Sequence, residues 1–188
     1  MARNIRLYPW YQFFRSLLFW QAIWFLYFQQ QLSAAEAILL AAIIDVANKA
    51  RKDHIITIED PIEFVHSSQG CIINQREVGL DTKSYARALK SAMRAAPDVI
   101  QIGEVRDLES MQSAIDMAGT GHLVLGTLHS NNASETLDRI INLFPQEQHG
   151  QVYMDLAHYL RAILSQRLVR ARNGKRVAAV ELMLNTPH

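Results

Sequence analysis

The sequence predicts a mainly parallel α/β fold, and three observations carry that expectation. Short β-branched runs alternate with longer helical runs from residue 37 to residue 184, the order that builds strand–helix–strand crossovers. Three of the strands, His54–Ile58, Val99–Ile102 and His122–Leu128, are almost continuously apolar, as strands covered on both faces must be. Each of those three is followed within two residues by an acid or a histidine, on the edge where open α/β sheets bind their ligands.

Taken in order, Ala37–Lys52 reads as a helix, with Ile38, Ala41, Ala42 and Asp45 at helical spacing among strong helix formers. His54–Ile58 is a buried strand. Cys71–Val78 is an extended segment entered through the turn cluster Ser67-Ser68-Gln69-Gly70. Thr82–Ala95 is a helix with Asp81-Thr82 as its N-cap, and Pro97 bars it from continuing. Strand Val99–Ile102, helix Leu108–Ala118, strand His122–Leu128 and helix Ala133–Leu143 follow. Gln148–Arg170 reads as one long helix with Leu156, Leu160, Ile163, Leu164 and Leu168 on one face, and Arg176–Leu184 closes the pattern as a strand.

The 188 residues suit one domain, and 49% hydrophobic residues suffice for a sizeable core. A formal charge of +1 supplies no global field toward nucleic acid or an anionic membrane. The single cysteine, Cys71, excludes an internal disulfide and fits a reducing cytoplasm. The average hides an asymmetry. Eleven of the sixteen aromatics precede residue 29, and the first 35 residues hold Arg3, Arg6 and Arg15 but no Asp, Glu, Lys or Gly. Residues 1–36 are therefore read as an atypical leader and residues 37–188 as the folded core. The apolar part of the leader, Leu17–Phe28, is twelve residues; as a helix it would span about 18 Å, short of a hydrocarbon core of about 30 Å. Three readings stay open: a frame-shifted leader joined to a genuine domain, a membrane-associated amphipathic segment, and a buried helix.

The strand ends hold the chemistry. In Ile56-Thr57-Ile58-Glu59-Asp60-Pro61-Ile62-Glu63-Phe64 three acids fall within five residues at the end of a buried strand, where partial desolvation tunes a carboxylate. A solvated proline turn would look the same in isolation. In Asp98-Val99-Ile100-Gln101-Ile102-Gly103-Glu104-Val105-Arg106-Asp107 an apolar strand delivers Glu104 at its tip, the arrangement that holds Mg²⁺ beside phosphates, usually through water. Gln101 is an unexpected polar residue inside that strand. In Gly121-His122-Leu123-Val124-Leu125-Gly126-Thr127-Leu128-His129 a histidine stands at each end of one strand. Seven residues is an odd spacing, so the two rings take opposite faces and cannot form a local metal pair. Only His129 lies at the carboxyl edge.

Together and in this order, these segments resemble the type IV pilus retraction (twitching-motility) ATPases of the secretion-ATPase superfamily. The match runs from about Leu40 to Pro187. It includes the family's Asp box (Ile56–Phe64), Walker B segment (Asp98–Asp107) and His box (Gly121–His129). Asn74–Gly79, Leu137–Ile141 and Ser165–Val169 also match, while Ala95–Asp98 and Val177–Pro187 lean toward the PilU branch of the family. The resemblance implies a RecA-like P-loop NTPase core using ATP and Mg²⁺. It also implies a hexamer, homomeric or built with related motor ATPases, in the cytoplasm at the inner membrane, where it meets the pilus platform and drives retraction; nucleic acid is not among the expected partners. By position, Glu63 would polarise the attacking water, Glu104 would organise Mg²⁺, His129 would sit near the γ-phosphate, and His122 would serve the His box structurally. Asp60 would lie in the nucleotide site. Gly119 stands where relatives commonly carry Glu.

One expected part is missing. A G-x-x-x-x-G-K-[ST] loop wraps phosphates with backbone N–H groups and neutralises them with lysine, yet the first glycine of this sequence is Gly70. The family's loop precedes the helix matched by Leu40–Asp45. That slot is filled by Gln30–Ala37, with Glu36 at the lysine position and Ala37 at the Ser/Thr position. The sequence is thus expected to be a retraction-motor core without its Walker A loop, truncated at both ends and not competent alone. The alternative is a non-catalytic subunit assembling with intact relatives.

Overall fold

The computed structural model describes residues 23–28, 33–172 and 174–186. The described elements are β1 (Ile23–Phe28), α1 (Ser33–Ala50), β2 (His54–Glu59), β3 (Ile72–Glu77), α2 (Tyr85–Ala92), β4 (Val99–Ile102), α3 (Leu108–Gly119), β5 (Leu123–Leu128), α4 (Ala133–Asn142), α5 (His149–Tyr159), β6 (Leu160–Arg170) and β7 (Arg176–Leu184). Seven strands form one sheet in the order β3-β2-β4-β5-β1-β6-β7. Every neighbouring pair is parallel except β6 with β7. The expected parallel α/β core is what the chain builds.

Alternation along the buried strands sorts their side chains onto two cores. Ile56, Ile58, Ile100, Ile102 and Val124 pack toward a layer that includes Leu89, Met111, Ile115, Ile140 and Leu156 of α2 to α5. Ile55, Val99, Leu123 and Leu125 pack on the other face with Leu40, Ile43, Ile44 and Ala47 of α1. Covering both faces leaves β4 and β5 with no exposed residue.

Three expectations change. Ile23–Phe28, read as the end of a helical leader segment, is a strand lying between β5 and β6, with Ile23 opposite Val124 on one side and Leu160 on the other. Its sequence, IWFLYF, is a β-branched and aromatic run without a polar residue, which suits a central strand. The rest of the leader, residues 1–22 and 29–32, lies outside the described residues. The boundary expected at 36/37 falls inside α1, which begins at Ser33.

The long helix expected over Gln148–Arg170 is two elements. Helix α5 stops at Tyr159, and Leu160–Arg170 is a strand wedged between β1 and β7. Leucines and isoleucines at helical spacing also satisfy a strand, and the two flanking strands decide the matter by supplying ladder partners. Asn185 seals the break: its side-chain amide donates to the carbonyls of Leu156 (3.4 Å), Ala157 (3.0 Å) and Leu160 (2.9 Å) around the helix end.

The N-cap of α2 is Ser84, whose Oγ accepts from Arg87 N at 3.2 Å, not Asp81-Thr82. Asp81 is committed elsewhere: its Oδ2 accepts from Glu77 N at 2.8 Å, and Thr82 O accepts from Gly79 N at 2.7 Å, closing a turn around left-handed Gly79 (φ 95°). Pro97 ends the segment as expected, after a 3₁₀ turn over Met93–Ala95.

Candidate functional site

The carboxyl ends of β2, β4 and β5 are drawn together by three bonds. Gly103 N donates to Ile58 O at 2.7 Å and Val105 N to Thr127 O at 2.9 Å, while Thr127 Oγ1 donates to Gly103 O. A cleft of about 240 Å³ opens above these tips. Its walls come from five places, one of them Tyr85 at the start of α2. The β2 end and following loop give Glu59, Asp60, Glu63, Phe64 and His66; the β4 end gives Gln101, Gly103, Glu104 and Arg106; β5 gives Thr127 and His129; Leu40 and Ala41 of α1 close one side.

Of the residues singled out in the sequence, Asp60, Glu63, Glu104 and His129 therefore share one cleft. His122 does not. It precedes β5 at the opposite edge, its Nδ1 2.9 Å from Met117 O and 3.1 Å from Thr120 Oγ1. The length of β5, Leu123–Leu128, accounts for that separation, and the ring fastens the end of α3 to the start of β5. The stretch Gln30–Ala37 straddles the edge of the described set: residues 29–32 lie outside it, and residues 33–37 are helical backbone whose side chains, Glu36 and Ala37 included, are not among the described ones.

Glu104 is the hub. Its Oε1 lies 2.9 Å from His129 Nε2 and its Oε2 pairs with Arg106, with the carboxylate only 17% exposed. That pairing holds the Arg106 guanidinium above its ordinary value, mainly through the hydrogen bond to Glu104. A carboxylate has about four lone-pair positions, so two contacts leave Glu104 able to accept more. His129 Nδ1 is buried without a partner among the described residues.

Several contributors were not legible as site residues. Glu59 is 8% exposed, and its Oε1 accepts from Thr57 Oγ1 (2.6 Å) and Gln75 Nε2 (3.1 Å). Gln75 reaches from β3 to hold the loop that carries Glu63: its Nε2 also donates to Phe64 O (2.8 Å), and its Oε1 accepts from His66 N (2.7 Å). Glu77 adds a fourth tie, accepting from Ile62 N at 3.0 Å. Nothing in Asn74–Glu77, four consecutive polar residues, announced these contacts. Tyr85 stands on the cleft wall, its hydroxyl pushed up to about 12 by burial first and then by the Asp60 charge. His66 is pulled below its ordinary value by burial, against the opposing pull of Glu59 and Asp45. Gly103 is required by space: a Cβ there would stand 3.1 Å from Ile58 O, 3.2 Å from Glu59 Cα and 3.3 Å from the Tyr85 hydroxyl. Gly119 likewise lies against the Tyr159 ring, 3.3 Å from a Cβ in its place.

A parallel sheet with acids and an imidazole at adjacent strand tips, beside the crossover from β1 through α1 to β2, is the architecture of a nucleotide-hydrolysing α/β core. Residues 35–185 match the model of the Type II/IV secretion system protein family, and the chain belongs to that family. It is 58% identical over 149 residues to the type IV pilus ATPase PilU of Pseudomonas aeruginosa, covering 79% of this chain and 39% of PilU. With the type IV pilus retractation ATPase PilT of the same organism it shares 49% over 148 residues, covering 79% of this chain and 43% of PilT. A crystal structure of the pilus retraction motor PilT with bound ADP superimposes with a TM-score of 0.86 at 45% identity, over 92% of this chain and 50% of that one. The ATPase DotB of Legionella pneumophila gives 0.84 at 27% identity, over 93% and 48%. The chain thus spans two fifths to one half of the length of these relatives, and its sheet has the RecA-like form expected from the sequence. Among the described residues, no helix is long and apolar enough to cross a membrane.

Proposed function

We propose that this chain is the ATP-hydrolysing core of a type IV pilus retraction motor, the engine of pilus disassembly and twitching movement. The observation that carries the reading is the convergence of Glu63, Glu104 and His129 on one cleft at the carboxyl edge of a parallel sheet, in a chain 58% identical to PilU over 149 residues.

Phosphoryl transfer to water needs positioning and charge stabilisation more than covalent help. Glu63, at the exposed mouth of the cleft, takes the proton of the attacking water. His129, oriented by Glu104 through Nε2, faces the transferring phosphoryl group. Asp60 contributes to the wall beside Tyr85. Mg²⁺ would neutralise charge on the β- and γ-phosphates. The donors fit such an ion: Glu59, Asp60, Glu63 and Glu104 offer hard oxygens. No three His, Cys, Asp or Glu of the described set cluster tightly enough to ligate a metal directly, which suits an ion held by Glu104 through water. His122 takes no part in this chemistry. The working form is a hexamer, of this chain or of this chain with related motor ATPases, on the cytoplasmic side of the inner membrane against the pilus platform.

The missing Walker A glycines and lysine set the expected competence of this polypeptide. Isothermal titration with MgATP should give a Kd no tighter than about 1 mM, since the phosphate grip that supplies most of the affinity is lost; micromolar binding would overturn that expectation. The same feature favours a second reading, a non-catalytic subunit packed among intact relatives. Mixing the chain with an intact relative and measuring turnover separates the two. A subunit changes the relative's ATPase rate at stoichiometric ratios, and a bare catalytic fragment leaves it unchanged.

A further inference from the structure

Away from the cleft, residues 167–176 carry Arg167, Arg170, Arg172, Lys175 and Arg176 with no acid among them, in a chain whose net charge is +1. They form the outer part of the β6–β7 hairpin, the sheet's antiparallel edge. Arg170, Arg172, Lys175 and Arg176 are exposed, and Val169, Val177 and Val180 are 43–46% exposed among them. Arg170 and Arg176 sit directly opposite each other in the ladder. Like charges so placed repel, and among the described residues no side-chain hydrogen bond or ion pair engages Arg170, Arg172 or Arg176. Because β6 runs parallel to β1 and β5, the hairpin tip projects on the edge that holds the cleft. Its base is tied there by Arg167 Nη2, which donates to Asn131 Oδ1 at 3.3 Å, two residues beyond His129.

We propose that this hairpin docks on an anionic phospholipid surface. Headgroup phosphates satisfy the facing arginines, which fork onto phosphate oxygens. Strand alternation sets the Val169–Val177 pair on the hairpin face opposite the Arg170–Arg176 pair, so a tip entering the headgroup layer end-on gives both faces a partner. An acidic protein groove against one face would meet the charges and leave those valines without one. The assignment is independent of whether the cleft turns over nucleotide.

Vesicle co-sedimentation without nucleotide tests it. The chain is expected to pellet with vesicles of mixed phosphatidylglycerol and phosphatidylcholine, not with phosphatidylcholine alone, and to be released as salt rises from about 0.1 M to about 0.5 M. The triple variant Arg170→Gln/Arg172→Gln/Arg176→Gln should partition at least tenfold less, each arginine near such a surface being worth roughly a fivefold factor. The control Lys83→Gln/Lys90→Gln/Arg94→Gln, which removes equal charge elsewhere, should bind as the unaltered chain does. Relief of the Arg170–Arg176 repulsion should leave the hairpin variant with an equal or higher Tm, so lost binding cannot be ascribed to unfolding. Equal loss in both triple variants, binding to neutral vesicles, or stronger capture by duplex DNA than by anionic vesicles would each overturn the proposal.

Discussion

Glu104 and His129, the tip of β4 and the residue that follows β5, meet at 2.9 Å across the floor of the cleft. The contact joins two segments that the sequence presents separately, and it leaves the other imidazole nitrogen, Nδ1, buried without a partner among the described residues. Around that pair, the supporting residues lend themselves to direct tests.

Gln75 is the clamp of the loop bearing Glu63. Gln75→Ala removes three hydrogen bonds, to Glu59, Phe64 and His66, and should cost about 1–3 kcal/mol because Glu59 loses a partner while buried. Amide exchange at His66 should accelerate, whereas amides in β4 and β5 stay protected. Unchanged exchange at His66 would mean that the loop holds itself.

Gly103 packs against the end of β2 at the cleft, its N–H donating to Ile58 O. Gly103→Ala places a methyl group 3.1 Å from a backbone carbonyl and 3.2 Å from a backbone Cα, neither of which swings aside. Urea denaturation should show a loss of about 1–3 kcal/mol.

Gln101 has a buried amide oxygen with no partner among the described residues. Replacing it with leucine removes an unsatisfied acceptor from an apolar strand and should stabilise the fold by about 1–2 kcal/mol. A destabilised Gln101→Leu would show that the amide is satisfied in solution, for example by a bound water.

Tyr85 makes the fold sensitive to alkali. Its hydroxyl is raised to about 12, so the native state keeps the proton that the unfolded chain releases near 10. The native state then binds more protons than the unfolded one, and stability falls as pH climbs from 10 toward 12. Tyr85→Phe should flatten that decline, read as Tm against pH.

His66 acts at the other end of the scale. Burial lowers it, so the native fold holds the neutral ring while the unfolded chain takes up a proton below about 6.5. Stability contributed by the neutral ring is present above that pH and is lost as pH falls through the lowered native value. His66→Gln should reduce the difference in Tm between pH 7 and pH 5.

The strands that hold the site were legible because burial on both faces writes itself as an apolar run, and Val99–Ile102 matches residue for residue; Arg176–Leu184, the exposed edge strand, also matches. The acids and His129 were legible because strand tips are where such sheets place ligands. Three things were not. Leu160–Arg170 carries a pattern compatible with helix or strand, and only its ladder partners decide. The cap of α2 depends on Asp81 being spent on Glu77, a contact that spacing does not reveal. Gln75 and Tyr85 reach the site from β3 and α2 through tertiary approach alone, with no local signature.

Placing β1 in the middle of the sheet has a consequence for how the chain assembles. Ile23 and its neighbours are synthesised before their ladder partners at Val124 and Leu160, which come about a hundred and about a hundred and forty residues later. The strand on which the two halves of the sheet meet must therefore wait, apolar and unpaired, until Leu160–Gln166 has emerged. Pairings so distant in sequence slow folding and prolong the exposure of sticky surface, so chaperone demand and yield on refolding should depend more on residues 23–28 than on any part of the cleft.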